Sequence, residues 1–308
     1  MSQQLSYELP NTAFFITIRT LGSRLWLVNN KKLEEVLLGY LAKYQEMYEI
    51  KVYGFIIMGN HLHLLLGFPL GNKAQFMRAF AAIAAKAVIW NVPAHGVQKV
   101  WARRYASQAV LDEEALNERF AYLANNPISS GLCASLGEYN GYNSFSDQAA
   151  GINRAYKVVD FKAYHDKQRW SKDVNINDYT HEYRLTYSRL PGQEHLGDED
   201  YGKWLREQVK LAGDFARTKR LEAGKGFGNR MLLKRSRPGQ RPKHTKVSGR
   251  HSFRPIVFCS CKKRREEFIA WYFDLVRQFK AASERYLSGE NDVEFPPGTY
   301  PPSRVGIA

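Results

Sequence analysis

The chain has 308 residues, 44% of them hydrophobic, enough for one large or two moderate domains with a packed core. Lys and Arg outnumber Asp and Glu by 45 to 30, and a net charge of +15 favours a polyanionic partner, most often nucleic acid. Three cysteines are too few for a disulfide framework, no stretch has the uninterrupted apolar length of a membrane span, and the first residues lack a signal-peptide pattern, so a cytoplasmic protein with no membrane partner is expected.

Phe14 to Arg19 reads as a strand of aromatic and β-branched residues. Lys32 to Glu49 places Leu33, Val36, Leu37, Tyr40, Leu41 and Tyr44 at helical spacing. Two strand-like runs follow, Val52 to Met58 and His61 to Leu66, joined at Gly59-Asn60 as a hairpin. Asn72 is the expected cap of an Ala-rich helix over Phe76 to Trp90, which Pro93 and Gly96 end. Lys99 to Leu111 holds a further strand or two. Asp112 caps a helix running to about Asn125, and Pro127 stops it. The order strand, helix, strand, strand, helix, strand, helix predicts an α+β fold. It is the ferredoxin-like split βαβ order, with an antiparallel sheet, over about residues 10 to 135.

Residues 136 to 200 show weak periodicity and read as extended loops with short helical pieces. Tyr201 to Leu221 reads as a helix. Residues 224 to 255 are rich in Gly, Pro, Ser and basic residues and suggest a linker or arm. Arg254 to Cys259 fits a short strand, and Arg264 to Leu287 a strongly amphipathic helix. From Arg217 to Arg265, seventeen Lys and Arg face one acid, Glu222, a density that calls for an anionic partner. Cys259-Ser260-Cys261, with His244 and His251 upstream, matches no established zinc spacing.

His61-Leu62-His63 puts two imidazoles on one face of a strand, where a pair of neutral rings can hold one divalent metal; the alternative is two structural histidines. Tyr122 and Asn126 are four apart on the helix after Asp112. If that helix packs on the His strand, a phenol and a carboxamide reach the same place. A phenol can attack phosphorus; Tyr122 can equally be a core aromatic. Trp101-Ala102-Arg103-Arg104-Tyr105 sets two cations between rings, suited to phosphate and unpaired bases or to an exposed strand edge. Arg235, Arg237, Arg241, Lys243 and Lys246 are candidates for backbone contact as a group.

Met58-Gly59-Asn60-His61-Leu62-His63 resembles the HUH motif (His, hydrophobic, His) of the single-tyrosine transposases, and Tyr122 to Leu132 resembles their tyrosine-helix motif, Tyr-x-x-x-Asn-Pro followed by Gly-Leu. The branch most similar is the REP-associated tyrosine transposases, where Tyr139 to Phe145 matches an aromatic-Ser element. Gly59 departs from the usual Pro. The resemblance covers about residues 10 to 145. It implies a ferredoxin-like catalytic fold and a Mg2+ or Mn2+ ion on His61, His63 and Asn126. It also implies Tyr122 as nucleophile, and cleavage and joining of single-stranded or hairpin DNA. Some relatives work as homodimers. The expected organisation is a catalytic domain over 1–150, a loop-rich and helical connection over 151–223, and a basic arm with an amphipathic helix over 224–308. A replication-initiation nuclease with the same motif is one alternative. A non-catalytic nucleic-acid-binding protein is the other. The His pair preceding the Tyr argues against relaxases, in which the Tyr comes first.

Overall fold

The computed structural model describes residues 4–96, 99–242 and 256–303. Its first seven elements follow the expected order: β1 (Thr12–Arg19), α1 (Lys31–Met47), β2 (Lys51–Met58), β3 (His61–Phe68), α2 (Lys73–Asn91), β4 (Ala106–Val110) and α3 (Glu113–Ala124). The four strands lie in the order β2-β3-β1-β4, all neighbours antiparallel. β3 therefore splits the β1-α1-β2 unit, which is the ferredoxin-like arrangement.

Alternation sorts the strands into two faces. Phe14, Ile16, Ile18, Leu62, Leu64 and Leu66 meet Leu33, Leu37 and Leu41 of α1 and Phe76 and Phe80 of α2. On the other face Phe15, Ile56, Met58 and Leu65 meet Leu116, Phe120 and Leu123 of α3. Each such side chain, fully buried, contributes roughly 1.5–3 kcal/mol. β3 is buried along its whole length, so its leucines read as a continuous apolar run and only the histidines break it.

Asn30 and Asp112 cap α1 and α3, accepting from Leu33 N and Ala115 N. The expected cap Asn72 does not cap α2; its amide donates to Tyr48 O at 2.9 Å. Glu8 takes that role from the N-terminal segment, its carboxylate accepting from Lys73 N and Ala74 N at 2.9 and 2.8 Å. A capping partner 65 residues away leaves no local pattern.

The rest of the chain forms α4 (Asn126–Ser129), α5 (Ser144–Ala149), β5 (Arg154–Val159), α6 (Phe161–Gln168), β6 (Thr180–Leu185), α7 (Asp198–Glu222), α8 (Arg230–Arg235), β7 (Val257–Phe258) and α9 (Lys262–Leu287). The region expected to be loops thus contains an antiparallel pair, β5-β6. It packs on α1 at Gly39, where a Cβ would lie 3.1 Å from Val158 Cγ2. Only Val158 and Leu185 are buried on these strands, so neither shows the alternation that announces a strand. The expected arm is docked over its described part: Asn29 Nδ2 donates to Leu233 O and Ser236 O, both at 2.8 Å. β7 pairs parallel with β4, and Tyr272 and Leu275 of α9 enter the α1-α2 core. Among the described residues no helix is long and apolar enough to cross a membrane.

Asp112 ties the start of α3 to the segment between β7 and α9. Besides capping α3, its Oδ2 accepts from Ser260 N and the Cys259 thiol, each at 2.8 Å. Burial works to raise its pKa, but the Cys259 thiol and the Ala115 and Ser260 amides outweigh burial and hold it at about 2. Its stabilising effect is therefore fully present at neutral pH and is lost as pH falls through the acid range toward 2. Asp112→Ala should cost about 1–2 kcal/mol, the upper range for an N-cap, because it also frees the Ser260 amide. Urea unfolding at pH 7 measures this, and the difference from the wild type should narrow near pH 2.

Candidate active site

The β1–β3 register decides what stands beside the histidines. Thr17 is opposite His63 and Arg19 opposite His61, all on the face that α3 covers. His61 and His63 are both buried, with ring centroids 4.6 Å apart. His61 Nδ1 bonds the Asn60 Oδ1 at 2.6 Å. A carboxamide oxygen only accepts, so Nδ1 carries the proton and Nε2 keeps a lone pair. His63 Nδ1 pairs with the Thr17 hydroxyl at 2.8 Å, and its Nε2 faces the Asn126 carboxamide nitrogen at 3.3 Å. The Asn126 carboxamide thus stands at the paired rings, bonded to His63 and raising the His61 pKa slightly.

Electrostatics keep both rings neutral. Burial, then the nearby Arg19 cation, pushes His61 down to about 3; the Asn126 bond only partly offsets this. Burial, His61 and Arg19 hold His63 well below the usual range. The donor set is two neutral imidazoles oriented by hydrogen bonds at Nδ1, plus a carboxamide. That set suits a divalent cation, since a carboxamide can turn its oxygen to an ion as readily as its nitrogen to a lone pair. Among the described residues no group of three or more His, Cys, Asp or Glu forms a metal site, so Asn126 is the third donor on hand.

α3 brings Tyr122 to the same face. Its ring centroid is 6.2 Å from that of His63 and 5.8 Å from that of Phe15, and the residue is 41% exposed. It is therefore not a core aromatic. The helix runs to about the expected Asn125 but does not carry Asn126 on the same helix as Tyr122. It ends at Ala124, Asn125 caps it, and Asn126 opens α4 with Pro127 in the first turn. Asn126 still reaches His63, because Asn125 anchors the break by donating to Ala121 O and to Val209 O of α7. The aromatic-Ser element fastens this end of α3 to β2. Asn143 Nδ2 donates to Ala124 O at 2.9 Å, Ser144 Oγ accepts from Phe55 N at 2.9 Å, and Ile57 N donates to Tyr142 O at 3.0 Å.

Gly59 is required by packing: a Cβ there would lie 2.6 Å from Val28 Cγ1. Gly131 of the Gly-Leu pair has φ +72, and a Cβ on it would strike the Arg220 guanidinium. Arg220 lines the cleft, its Nε donating to Gly226 O at 2.8 Å.

Three neighbours had no signal of their own in the sequence. Thr17 and Arg19 acquire their places through strand register, whereas Asn60 stood in the quoted motif and at the expected hairpin turn. Arg119 lies three residues before Tyr122, with its guanidinium carbon 5.3 Å from the Tyr122 ring and 4.4 Å from that of Phe258. The i, i+3 spacing to Tyr122 was its only trace.

Tyr122, Arg19 and both histidines line an open cleft of about 2160 Å³, walled by α3, α7 and residues 225–242. Arg235, Arg237 and Arg241 are exposed on the segment that forms its rim. Lys243, Lys246, His244 and His251 lie outside the described residues, and Cys259 is engaged with Asp112. Arg103 and Arg104 are exposed elsewhere, next to a separate pocket. Arg103 presses electrostatically on Arg19, and Arg104 donates to Gln4 O at 2.7 Å.

Residues 21–126 match the model of the family described as Transposase IS200 like, a span that includes His61, His63 and Tyr122 and ends on Asn126. Solved structures similar to the chain include a REP-associated tyrosine transposase bound to a REP hairpin. It is 16% identical with a TM-score of 0.41, over 49% of this chain and 86% of that one. Another is a protein of Deinococcus radiodurans R1 described as a candidate transposase, 17% identical with a TM-score of 0.28, over 39% of this chain and 92% of that one. No curated protein matches.

Because His61 and His63 are neutral when folded and titrate near 6.5 when unfolded, the unfolded chain takes up more protons in acid. Stability should fall as pH drops below about 6.5 and on toward 3. His61→Gln should flatten this dependence between pH 7 and 4 in urea titrations; an unchanged slope would contradict the burial argument.

Proposed function

We propose that this chain, whose residues 21–126 match the IS200-like transposase family, cleaves and rejoins single-stranded DNA through a covalent bond to Tyr122. The observation that carries this is the meeting of Asn126 with His63, whose ring centroid lies 4.6 Å from that of His61, with Tyr122 beside them in an open cleft. The Tyr122 oxygen attacks phosphorus, the bond from phosphorus to the 3′ oxygen breaks, and a 5′-phosphotyrosine and a free 3′-hydroxyl result. The phenol proton leaves to solvent, and the departing 3′ oxygen takes one up. Attack by a 3′-hydroxyl on the phosphotyrosine reverses the step and rejoins DNA. Arg119 and Arg19 supply positive charge where the phenolate forms and where phosphate enters. Mg2+ or Mn2+ held by His61, His63 and Asn126 would polarise a non-bridging phosphate oxygen. Asn60 fixes the His61 tautomer that such binding requires, and Thr17 orients the His63 ring. The resemblance of both motifs to the REP-associated branch makes a hairpin-bearing end the substrate to test.

Labelled hairpin oligonucleotides with unpaired flanks, incubated with Mn2+ or Mg2+, should give an adduct that survives denaturation and disappears in Tyr122→Phe. An adduct of equal yield in that variant would overturn the assignment. Independently, Thr17→Val should weaken Mn2+ binding by roughly 10–100-fold in titration calorimetry, the usual loss on removing an outer-shell partner.

A further inference from the structure

A second pocket, of about 560 Å³, lies beside β1 and is separate from the catalytic cleft. Its walls come from six parts of the chain: residues 4–6, Ile18 of β1, the face of α2, residues 101–105, Phe279 of α9 and the segment ending at Pro302. Three arginines, Arg78, Arg103 and Arg104, line it together with the rings of Trp101, Tyr105 and Tyr300. No acidic side chain is among the described residues lining it. Glu8, an electrostatic neighbour of Tyr105 and Tyr300, is buried, its carboxylate accepting from the Lys73 and Ala74 amides. The Trp101 ring is fixed by its Nε1 donating to Ala81 O at 2.8 Å.

The pocket is joined to the catalytic cleft by backbone. Ala102 N donates to Arg19 O at 2.9 Å, and Trp101 bridges Thr20. Arg103 on the pocket side thus follows directly on the residue bonded to Arg19, which lines the cleft. Cations along a path, aromatic rings at its end and space for a nucleotide are the features of single-strand capture.

We infer that this pocket holds an unpaired nucleotide of the strand cut at Tyr122, its base against the Trp101 and Tyr300 rings and its phosphate on Arg78, Arg103 and Arg104. The inference rests on the DNA-cleaving reading above. It adds a binding position built partly by a C-terminal segment beyond the family-matched residues.

Fluorescence anisotropy on the full chain tests it, with a fixed hairpin carrying zero or six unpaired dT residues on its 5′ or 3′ side. The wild type should bind one of the flanked hairpins on the order of tenfold more tightly than the blunt one, the gain expected from one stacked base. The double variant Arg78→Ala with Tyr300→Ala, at two exposed positions, should lose that preference while keeping the wild-type unfolding midpoint. A wild type indifferent to both flanks would overturn the inference, and so would a folded double variant that retains the full preference. The readout is binding without cleavage, so flank preference without any Tyr122 adduct would refute the catalytic reading and leave the pocket standing.

Discussion

The antiparallel register between β1 and β3 is the constraint on which the site depends. It sets Thr17 against His63 and Arg19 against His61, and it turns all four toward α3. Strand side chains alternate, so a slip of one residue would move each of them to the opposite face. The histidines would then project into the leucine and phenylalanine layer of α1 and α2. The apolar residues between them enforce the register: Ile16, Ile18, Leu62 and Leu64 have no other place to be buried. The polar chemistry of one face is thus positioned by the hydrophobic burial of the other.

The second half of the site is held by different means. Tyr122 and Asn126 come from two short helices meeting at Asn125, and a junction of this kind has little intrinsic stiffness. Its position is set by ties from outside. Asn143 holds the end of α3 to β2, and Asn125 holds the break to α7. β7 places Phe258 against the Arg119 guanidinium. The chain beyond Ser129 therefore completes the surroundings of Tyr122, and α7, α8 and residues 225–242 supply the far wall of its cleft.

The order of elements through α3 was legible in the sequence because each carries its own local signal. Asp112 announces α3, and the alternating strands and helical leucines announce the rest. That Tyr122 and Asn126 lie near the His61-His63 strand was legible through the two motifs and their order, on the condition that α3 packs on that strand, as it does. What was not legible depends on distant partners. Glu8 in place of Asn72 at the start of α2, the β5-β6 pair with one buried residue on each strand, and the cations at Arg19 and Arg119 all take their meaning from contacts that no local window contains. The Gly59 departure from the motif turned out to be a packing requirement set by Val28.

A β-sheet normally ends in two rows of unsatisfied amides and carbonyls that invite another strand. Here other segments of the chain occupy part of the β2 edge and part of the β4 edge. Along β2, Ile57 N is taken by Tyr142 O, and Val52 O by Ser188 N. Along β4, β7 lies parallel, and Leu111 N reaches Phe258 O. A neighbouring molecule seeking to extend this sheet would first have to displace covalently attached competitors whose local concentration no free chain can match. The segments that occupy the edges are also those that grip Tyr122: Asn143 on one side, Phe258 on the other. Prying open either border would disturb Tyr122 as well, so sheet integrity and the placement of Tyr122 are mechanically one property of this fold.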